Sequence, residues 1–285
     1  MKNYLILIPI FFIQCSCAQV NKDINLLSNF SDYDILLKYS NDFNNDKVED
    51  VLYILSSKKE NSNNLINSND SVSKRKLIIF LGTIKNNFIK VFDNDNIVPC
   101  RECLGKSDNF VSNLMFKNYL LSYTTCIAPF ASDKYSVIDF TLQFKDNSFY
   151  IYKYQETYSA IETDENAKIV LDNQDIPKKK FSYYDWTGDK SWIDYVSITN
   201  QNLTKLNDFA YNLESINPNV SIDILQKIIL KYPERIVAYL NLADSYWAIG
   251  NQELAKENYI KYISLMKSQK KDINKIPKQV WERAK

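Results

Sequence analysis

The sequence predicts an α+β fold, in which an antiparallel β-rich N-terminal domain is followed by a short α-helical domain. Between residues 25 and 160, apolar and aromatic residues recur with the period of two that is typical of half-buried strands. From Leu203 onward the period changes to that of a helix. A chain of 285 residues, 45% of them hydrophobic, is long enough to bury a sizeable core.

Six segments of the N-terminal part have strand character. The last two are separated by residues 145–148 (Lys-Asp-Asn-Ser), which predict a hairpin turn. Residues 57–76 are polar and predict an exposed loop, whereas residues 161–200 mix acidic and aromatic stretches and predict an irregular connection to the helices at 201–285. The predicted strands are 48–55, 77–81, 88–92, 119–124, 136–144 and 149–154.

Residues 1–18 have the pattern of a signal peptide, so we expect an exported protein. Lys2 precedes an apolar run at 4–13, which is the length of a signal-peptide core and too short to span a bilayer. Small residues at 16–18 suit ordinary cleavage before Gln19 and a soluble product. Alternatively, Cys17 would be the lipidated first residue of a lipoprotein, although Gln14 is a poor match at the third position before it. The product would be periplasmic, attached to the outer membrane or secreted, with a lipid anchor as its only tie to the membrane.

Composition excludes several classes of enzyme and ligand. The chain has no His, so Ser-His-Asp and Cys-His catalysis and HExxH metal sites are absent, and its four Gly residues form no phosphate-binding loop. With 35 basic and 34 acidic residues, no global charge favours nucleic acid. Asp185, Asp189 and Asp194 flank Trp186 and Trp192 in the manner of a sugar site, but a solvated loop that anchors the two tryptophans in a domain interface is favoured. We therefore predict no enzyme.

Three cysteines follow the leader, which is an odd number. Cys100 and Cys103 have the CxxC spacing, but no βαβ pattern accompanies them, and no His completes a zinc site. An exported compartment permits disulfides. A structural disulfide among Cys100, Cys103 and Cys126, or inert thiols, is favoured over redox chemistry or a metal, and the pairing stays open.

An aspartate-rich loop precedes the first clear strand. Its oxygens stand at the positions that Ca²⁺ uses in loops of this kind, whereas Lys47 replaces the usual turn glycine. An Asx-rich turn that is stabilised by its own side chains is the alternative. The candidate Ca²⁺ ligands are Asp42, Asn44, Asp46, Val48 through its carbonyl group, and Asp50.

This loop resembles the calcium loops of FG-GAP/VCBS-type repeats. Together with 76–82 (Lys-Leu-Ile-Ile-Phe-Leu-Gly), the segment 96–105 and the paired aromatic strands, it is loosely similar to a group of uncharacterised exported bacterial proteins. The resemblance implies a Ca²⁺-dependent structural or adhesion role as an alternative function. It implies no catalytic residue.

Residues 236–265 resemble one tetratricopeptide (TPR) repeat, and 206–231 resemble a degenerate repeat before it. The motif places large, small and aromatic residues on two helices around a turn glycine, and only Tyr262 is larger than the family's residue at its position. An amphipathic segment within 272–285 would cap the stack. The matching residues are Tyr239, Leu242, Ala243, Tyr246, Gly250, Ala255 and Tyr259.

The TPR resemblance implies a protein-binding groove lined by Val237, Leu240, Asp244 and Trp247. Leu240 and Asp244 stand where some members carry the Lys/Asn pair that clamps a peptide carboxylate, so a C-terminal carboxylate ligand is disfavoured. The helices would otherwise serve only to pack on the β-rich domain. We therefore predict a non-catalytic protein-interaction module of the cell envelope. A Ca²⁺-dependent module and an inhibitor or immunity protein with one cognate partner are the alternatives.

Overall fold

Two antiparallel sheets precede a helical region, which confirms the predicted α+β fold. The computed structural model describes residues 25–58, 74–85, 87–99, 112–127, 134–161, 163–176, 178–183 and 192–285. The first sheet has the order β1-β2-β3-β4 and the second β5-β6-β7-β8-β9, so each is a meander. The strands are β1 Tyr33–Asn41, β2 Asp50–Ser57, β3 Lys76–Gly82, β4 Phe88–Asn94, β5 Ser112–Lys117, β6 Leu120–Ile127, β7 Lys134–Lys145, β8 Ser148–Ala160 and β9 Glu165–Asp172.

The hairpin turn predicted between the two long strands of the second sheet is confirmed. Lys145 pairs with Ser148, and Asp146 and Asn147 both have a φ of 51°. Positive φ at both central residues matches the right-handed twist of the flanking strands, and Asp and Asn tolerate that conformation. The local sequence is thus sufficient to specify this turn.

The interval 161–200 was predicted to be irregular, and for β9 that prediction is wrong. Along β9 only Ala167, Ile169 and Leu171 are buried, and the residues between them are exposed. Because β9 pairs only with β8, it forms an edge of the sheet, where polar and charged residues are favoured. Three apolar residues at alternate positions of a polar stretch did not give a pattern strong enough to predict a strand.

Strand β2 is buried on both faces rather than half-buried. Leu52 and Ile54 contribute to the main core, whereas Val51, Tyr53 and Leu55 form a second cluster on the other face. That second face is covered by a segment before β1, which places Leu26, Leu27 and Phe30 against it. The continuous apolar sequence of β2 therefore has a packing reason.

One core joins the two sheets and continues into the helices. Phe92 of the first sheet contacts Phe149 of the second, with ring centroids 5.1 Å apart. On the helical side, Trp192 lies 6.0 Å from Tyr154 of β8 and 6.0 Å from Phe209. The helices therefore pack directly on the second sheet.

The helical region contains two antiparallel helix pairs and a short final helix. Asn217 accepts a hydrogen bond from the backbone of Val220 at the start of α2, and Asn251 accepts one from Leu254 at the start of α4. Gly250, with a φ of 79°, ends α3. None of the helices in the described residues is long and apolar enough to cross a membrane. The helices are α1 Leu203–Leu213, α2 Pro218–Lys231, α3 Ile236–Ala248, α4 Gln252–Ser268 and α5 Lys278–Arg283.

Candidate functional site

The predicted calcium loop joins β1 to β2 and is held by hydrogen bonds from its own backbone to its side chains. Asp42 accepts from the backbone N–H groups of Asp46 (3.1 Å) and Lys47 (2.9 Å). Asp46 in turn accepts from the backbone N–H of Val48 at 2.8 Å. Asn44 accepts from the backbone of Asp46 at 3.0 Å and donates its amide to the Asp46 carboxylate at 2.9 Å. This is the Asx-turn arrangement that the sequence left as the alternative.

Asp50, the last of the predicted ligands, connects this loop to the end of β3. Its carboxylate is buried and accepts from the backbone N–H groups of Phe43 at 2.7 Å and Gly82 at 2.8 Å. Burial raises the pKa of Asp50, and the two backbone hydrogen bonds oppose that shift. A side chain at Gly82 would place its Cβ 2.3 Å from the Glu49 carbonyl oxygen, so glycine is required there. Asp50 therefore has a structural role.

The described residues contain no group of three or more Asp, Glu or Cys side chains arranged to hold a metal ion. Asp42 and Asp46 lie near enough to Asp50 to raise its pKa further. The carboxylate oxygens of Asp42 and Asp46 nevertheless accept hydrogen bonds from backbone N–H groups of the loop. Calcium binding by this loop stays a prediction.

Six of the seven residues of the predicted TPR signature lie in the interior of the helical region, whereas Gly250 is exposed at the turn after α3. Ala243 and Ala255 are completely buried, which lets α3 and α4 approach closely. Ser221 and Ser245 are also completely buried, and their hydroxyl oxygens are 2.8 Å apart, which fixes the contact between α2 and α3. The other buried members are Tyr239, Leu242, Tyr246 and Tyr259.

The four predicted groove residues share one face of α3, because their spacing follows the helical repeat. We call Val237, Leu240, Asp244 and Trp247 the α3 face. Val237 is 44% exposed, and Leu240 and Trp247 are partly buried against the core. Only the Val237 end of this face is therefore open.

The Asp244 end of the α3 face is contacted by Arg283 from α5. The Arg283 guanidinium carbon lies 4.3 Å from the centre of the Trp247 ring. One guanidinium nitrogen donates to the Tyr259 hydroxyl at 2.8 Å and lies 3.4 Å from Asp244. The Tyr259 hydroxyl donates to the same Asp244 oxygen. The chain thus places its own cation over two of the four predicted contact residues.

A second carboxylate, Glu214 at the end of α1, lies beside this cluster. Burial raises the pKa of Glu214, and repulsion from Asp244 raises it further against the attraction of Arg283. Burial is also the main cause that raises the pKa of Asp244, although Tyr259 and Arg283 oppose it. Arg283 thus attracts both carboxylates, but it pairs directly with Asp244.

A surface cleft of about 390 Å³ opens next to Glu214. It lies between the start of β9 and the end of α1, and its walls include Glu165, Tyr211 and Ile216. Tyr211 is 58% exposed. We call the α3 face together with Tyr211, Glu214 and Arg283 the helical surface.

Another ionisable cluster is buried where β8 meets the helical region. Glu156 is 3% exposed and accepts a hydrogen bond from the Tyr154 hydroxyl. Burial raises the pKa of Glu156, and the hydroxyls of Ser136 and Tyr158 offset part of that effect. The Trp192 indole N–H makes no hydrogen bond of ordinary geometry with any described residue. A carboxyl group so enclosed cannot reach a substrate, and we assign it to the core.

Several sequence predictions fall outside the described residues. These are the leader at 1–18 with Cys17, the CxxC pair Cys100 and Cys103, and three of the five residues considered for a sugar site. Cys126 is half-buried and makes no disulfide within the described part of the chain. Of the sugar-site residues that are described, Trp192 is buried and Asp194 pairs with Lys227 at 2.5 Å. Both have structural partners.

Sequence reasoning missed Tyr211, Glu214 and Arg283. The first two lie one predicted repeat before the α3 face, since Tyr211 and Glu214 precede Asp244 and Trp247 by the same number of residues. Carrying the groove positions into the predicted degenerate repeat would have found them. No local signal marks Arg283, because its contact with Asp244 spans 39 residues.

Comparison of the chain with protein-family models, with curated proteins and with solved structures found no match in any of the three.

Proposed function

We propose that this protein is an exported, non-catalytic interaction module that binds a protein partner through the helical surface. The observation that supports this most is the make-up of that surface, which combines the exposed side chains of Tyr211 and Val237 with the Arg283 guanidinium stacked on Trp247. Tyr, Trp and Arg dominate the binding energy of protein interfaces. An aromatic and apolar surface with a few charged groups is suited to a protein partner.

The helices that carry this surface are also firmly packed against one another. The helices beneath it are joined by completely buried alanines and by the hydrogen bond between Ser221 and Ser245. A rigid scaffold lowers the entropy that binding would otherwise cost. The export part of the proposal depends on the leader pattern of residues 1–18.

A pull-down from the envelope fraction of the producing cells tests the proposal. The baits are the full chain, a Val237→Glu variant and an Ile260→Glu variant. Ile260, on α4 and 48% exposed, is the matched control because it is also a β-branched helical residue with similar exposure. We expect a protein that the full chain and the Ile260 variant capture and the Val237 variant loses. Equal capture by all three baits would contradict the proposal.

A further inference from the structure

We propose that the cluster around Arg283 is a binding site for an arginine side chain of the partner, which the chain's own Arg283 occupies in the unbound protein. The inference rests on the proposed function and names the chemistry of its partner, a protein segment that presents an arginine. We call Glu214, Asp244, Trp247 and Tyr259 the arginine site.

The groups of the arginine site are the ones that recognise a guanidinium. Trp247 offers a ring face at 4.3 Å, which is the geometry of a cation–π contact. Asp244 offers a carboxylate and Tyr259 a hydroxyl oxygen, both within reach of the same nitrogen. Glu214 adds a second carboxylate on the side of the open cleft. Arginine suits such a site better than lysine, since it is planar and stacks on aromatic rings.

Arg283 fills this site imperfectly. Its nitrogen lies 3.4 Å from the Asp244 oxygen, whereas a strong guanidinium–carboxylate pair has two contacts of about 2.8 Å. The pKa values of both carboxylates remain raised in spite of Arg283. A partner's guanidinium that replaces Arg283 is not constrained by α5 and is free to approach Asp244 more closely.

The helix that carries Arg283 is weakly anchored. α5 has six residues, and Val280 is its one buried residue. Trp281 is 37% exposed, with the Lys267 ammonium group 5.7 Å from its ring centre. Displacement of the Arg283 side chain by a partner's guanidinium can therefore leave Val280, the buried residue of α5, in place. Arg283 acts as an internal competitor that sets the affinity for the partner.

The test uses the full chain with Arg283→Ala, and the probe is the capped tripeptide Gly-Arg-Gly. We expect the peptide, at about ten times its Kd, to raise the melting temperature of the variant by roughly 2–4 °C. Gly-Gln-Gly should have no effect, and the wild type should bind Gly-Arg-Gly with a Kd at least about tenfold higher because Arg283 competes, so its shift should be about a third as large or smaller. Adding Asp244→Asn to the variant should abolish the response.

The outcomes separate this inference from the proposed function. No response of a folded Arg283→Ala variant would overturn the arginine site, even if the pull-down identifies a partner. A response without any captured partner would support the site and contradict the wider proposal. If Arg283→Ala does not fold, Arg283→Gln keeps the aliphatic stem and replaces it. Failure of both variants to fold would make Arg283 purely structural and overturn the inference.

Discussion

The aspartate loop and the helical surface are both acidic, but their carboxylates are used differently. Asp50 is buried and accepts two backbone N–H groups, so its hydrogen bonds are complete within the fold. Asp244 accepts instead from two side chains. These are the Tyr259 hydroxyl and an Arg283 nitrogen that lies 3.4 Å away. A backbone donor cannot be exchanged for a partner's group, whereas a side chain can move away. The comparison teaches that the donors around a carboxylate, more than its position in a motif, indicate whether it is free to bind.

Replacing Asp50 should give the largest effect. Asp50→Ala leaves the buried N–H groups of Phe43 and Gly82 without an acceptor, and each such loss costs about 1–3 kcal/mol. We expect a fall of about 2–4 kcal/mol in the free energy of unfolding, measured by urea denaturation. Asp46→Ala, at an exposed position of the same loop, should cost about 1 kcal/mol or less. Equal losses of stability in the two variants would mean that the buried Asp50 carboxylate stabilises the loop no more than the exposed Asp46 carboxylate does.

Trp247→Ala tests the other side of the comparison. The change removes the ring beneath Arg283 and part of the packing of a half-buried side chain, so we expect a loss of about 1–2 kcal/mol with the fold intact. Partner affinity should fall by about tenfold or more. Circular dichroism and the pull-down provide the two measurements.

Tyr152→Ala is the control for Trp247→Ala, because Tyr152 is an exposed aromatic residue of the second sheet, 44% exposed. It should leave partner binding unchanged. Unfolding of the Trp247 variant would show that Trp247 belongs to the core, and retained binding by a folded variant would exclude the α3 face as the contact.

Glu156 is a third kind of carboxyl group. Its neighbours are hydroxyl groups, whereas Asp50 has backbone donors and Asp244 has a nearby guanidinium. Because burial raises its pKa, the folded chain holds the proton more tightly than the unfolded chain, and the wild type loses stability as the pH rises through that pKa. Glu156→Gln removes this titration. We expect the variant to match the wild type near pH 4 and to have the larger free energy of unfolding at pH 8.

Urea denaturation across the pH range measures the effect of Glu156→Gln. The Asp194→Asn variant provides a carboxyl control, since Asp194 is half-exposed and paired with Lys227. A wild type that gains stability relative to Glu156→Gln with rising pH would mean that the fold stabilises the ionised form.

A chelator should give the smallest effect. The oxygens of Asp42, Asp46 and Asp50 already accept backbone N–H groups, so we expect EDTA to shift the melting temperature by less than about 1 °C. Differential scanning calorimetry with Ca²⁺ and with EDTA makes the measurement. A rise of several degrees with Ca²⁺ would support the calcium-dependent alternative and contradict the view that this loop is complete in itself.

Much of the fold could be predicted from local sequence. The two-residue turn at Asp146 and Asn147 and the helical period after Leu203 both follow from interactions within a few residues. Strand β9 could not be predicted in this way. Strand β9 is held by its pairing with β8 and by its contact with α1. In that contact, the Lys205 ammonium group donates to the Val170 carbonyl oxygen at 3.1 Å. A strand whose partners supply most of its stability has a weak pattern of its own.

The candidate site also has one part that the sequence could predict and another that only the tertiary structure shows. The TPR resemblance named Val237, Leu240, Asp244 and Trp247 as groove residues, and their spacing is enough to place them on one face of a helix. Only the tertiary structure placed Arg283 over Trp247 and Glu214 beside Asp244. The sequence alone therefore determined the fold class and the face of α3, and the tertiary structure decided which of those residues are covered and which charged groups lie beside them. The physical reason is that periodicity is a short-range property of the backbone, whereas pairing of charges depends on distances between residues far apart in the chain.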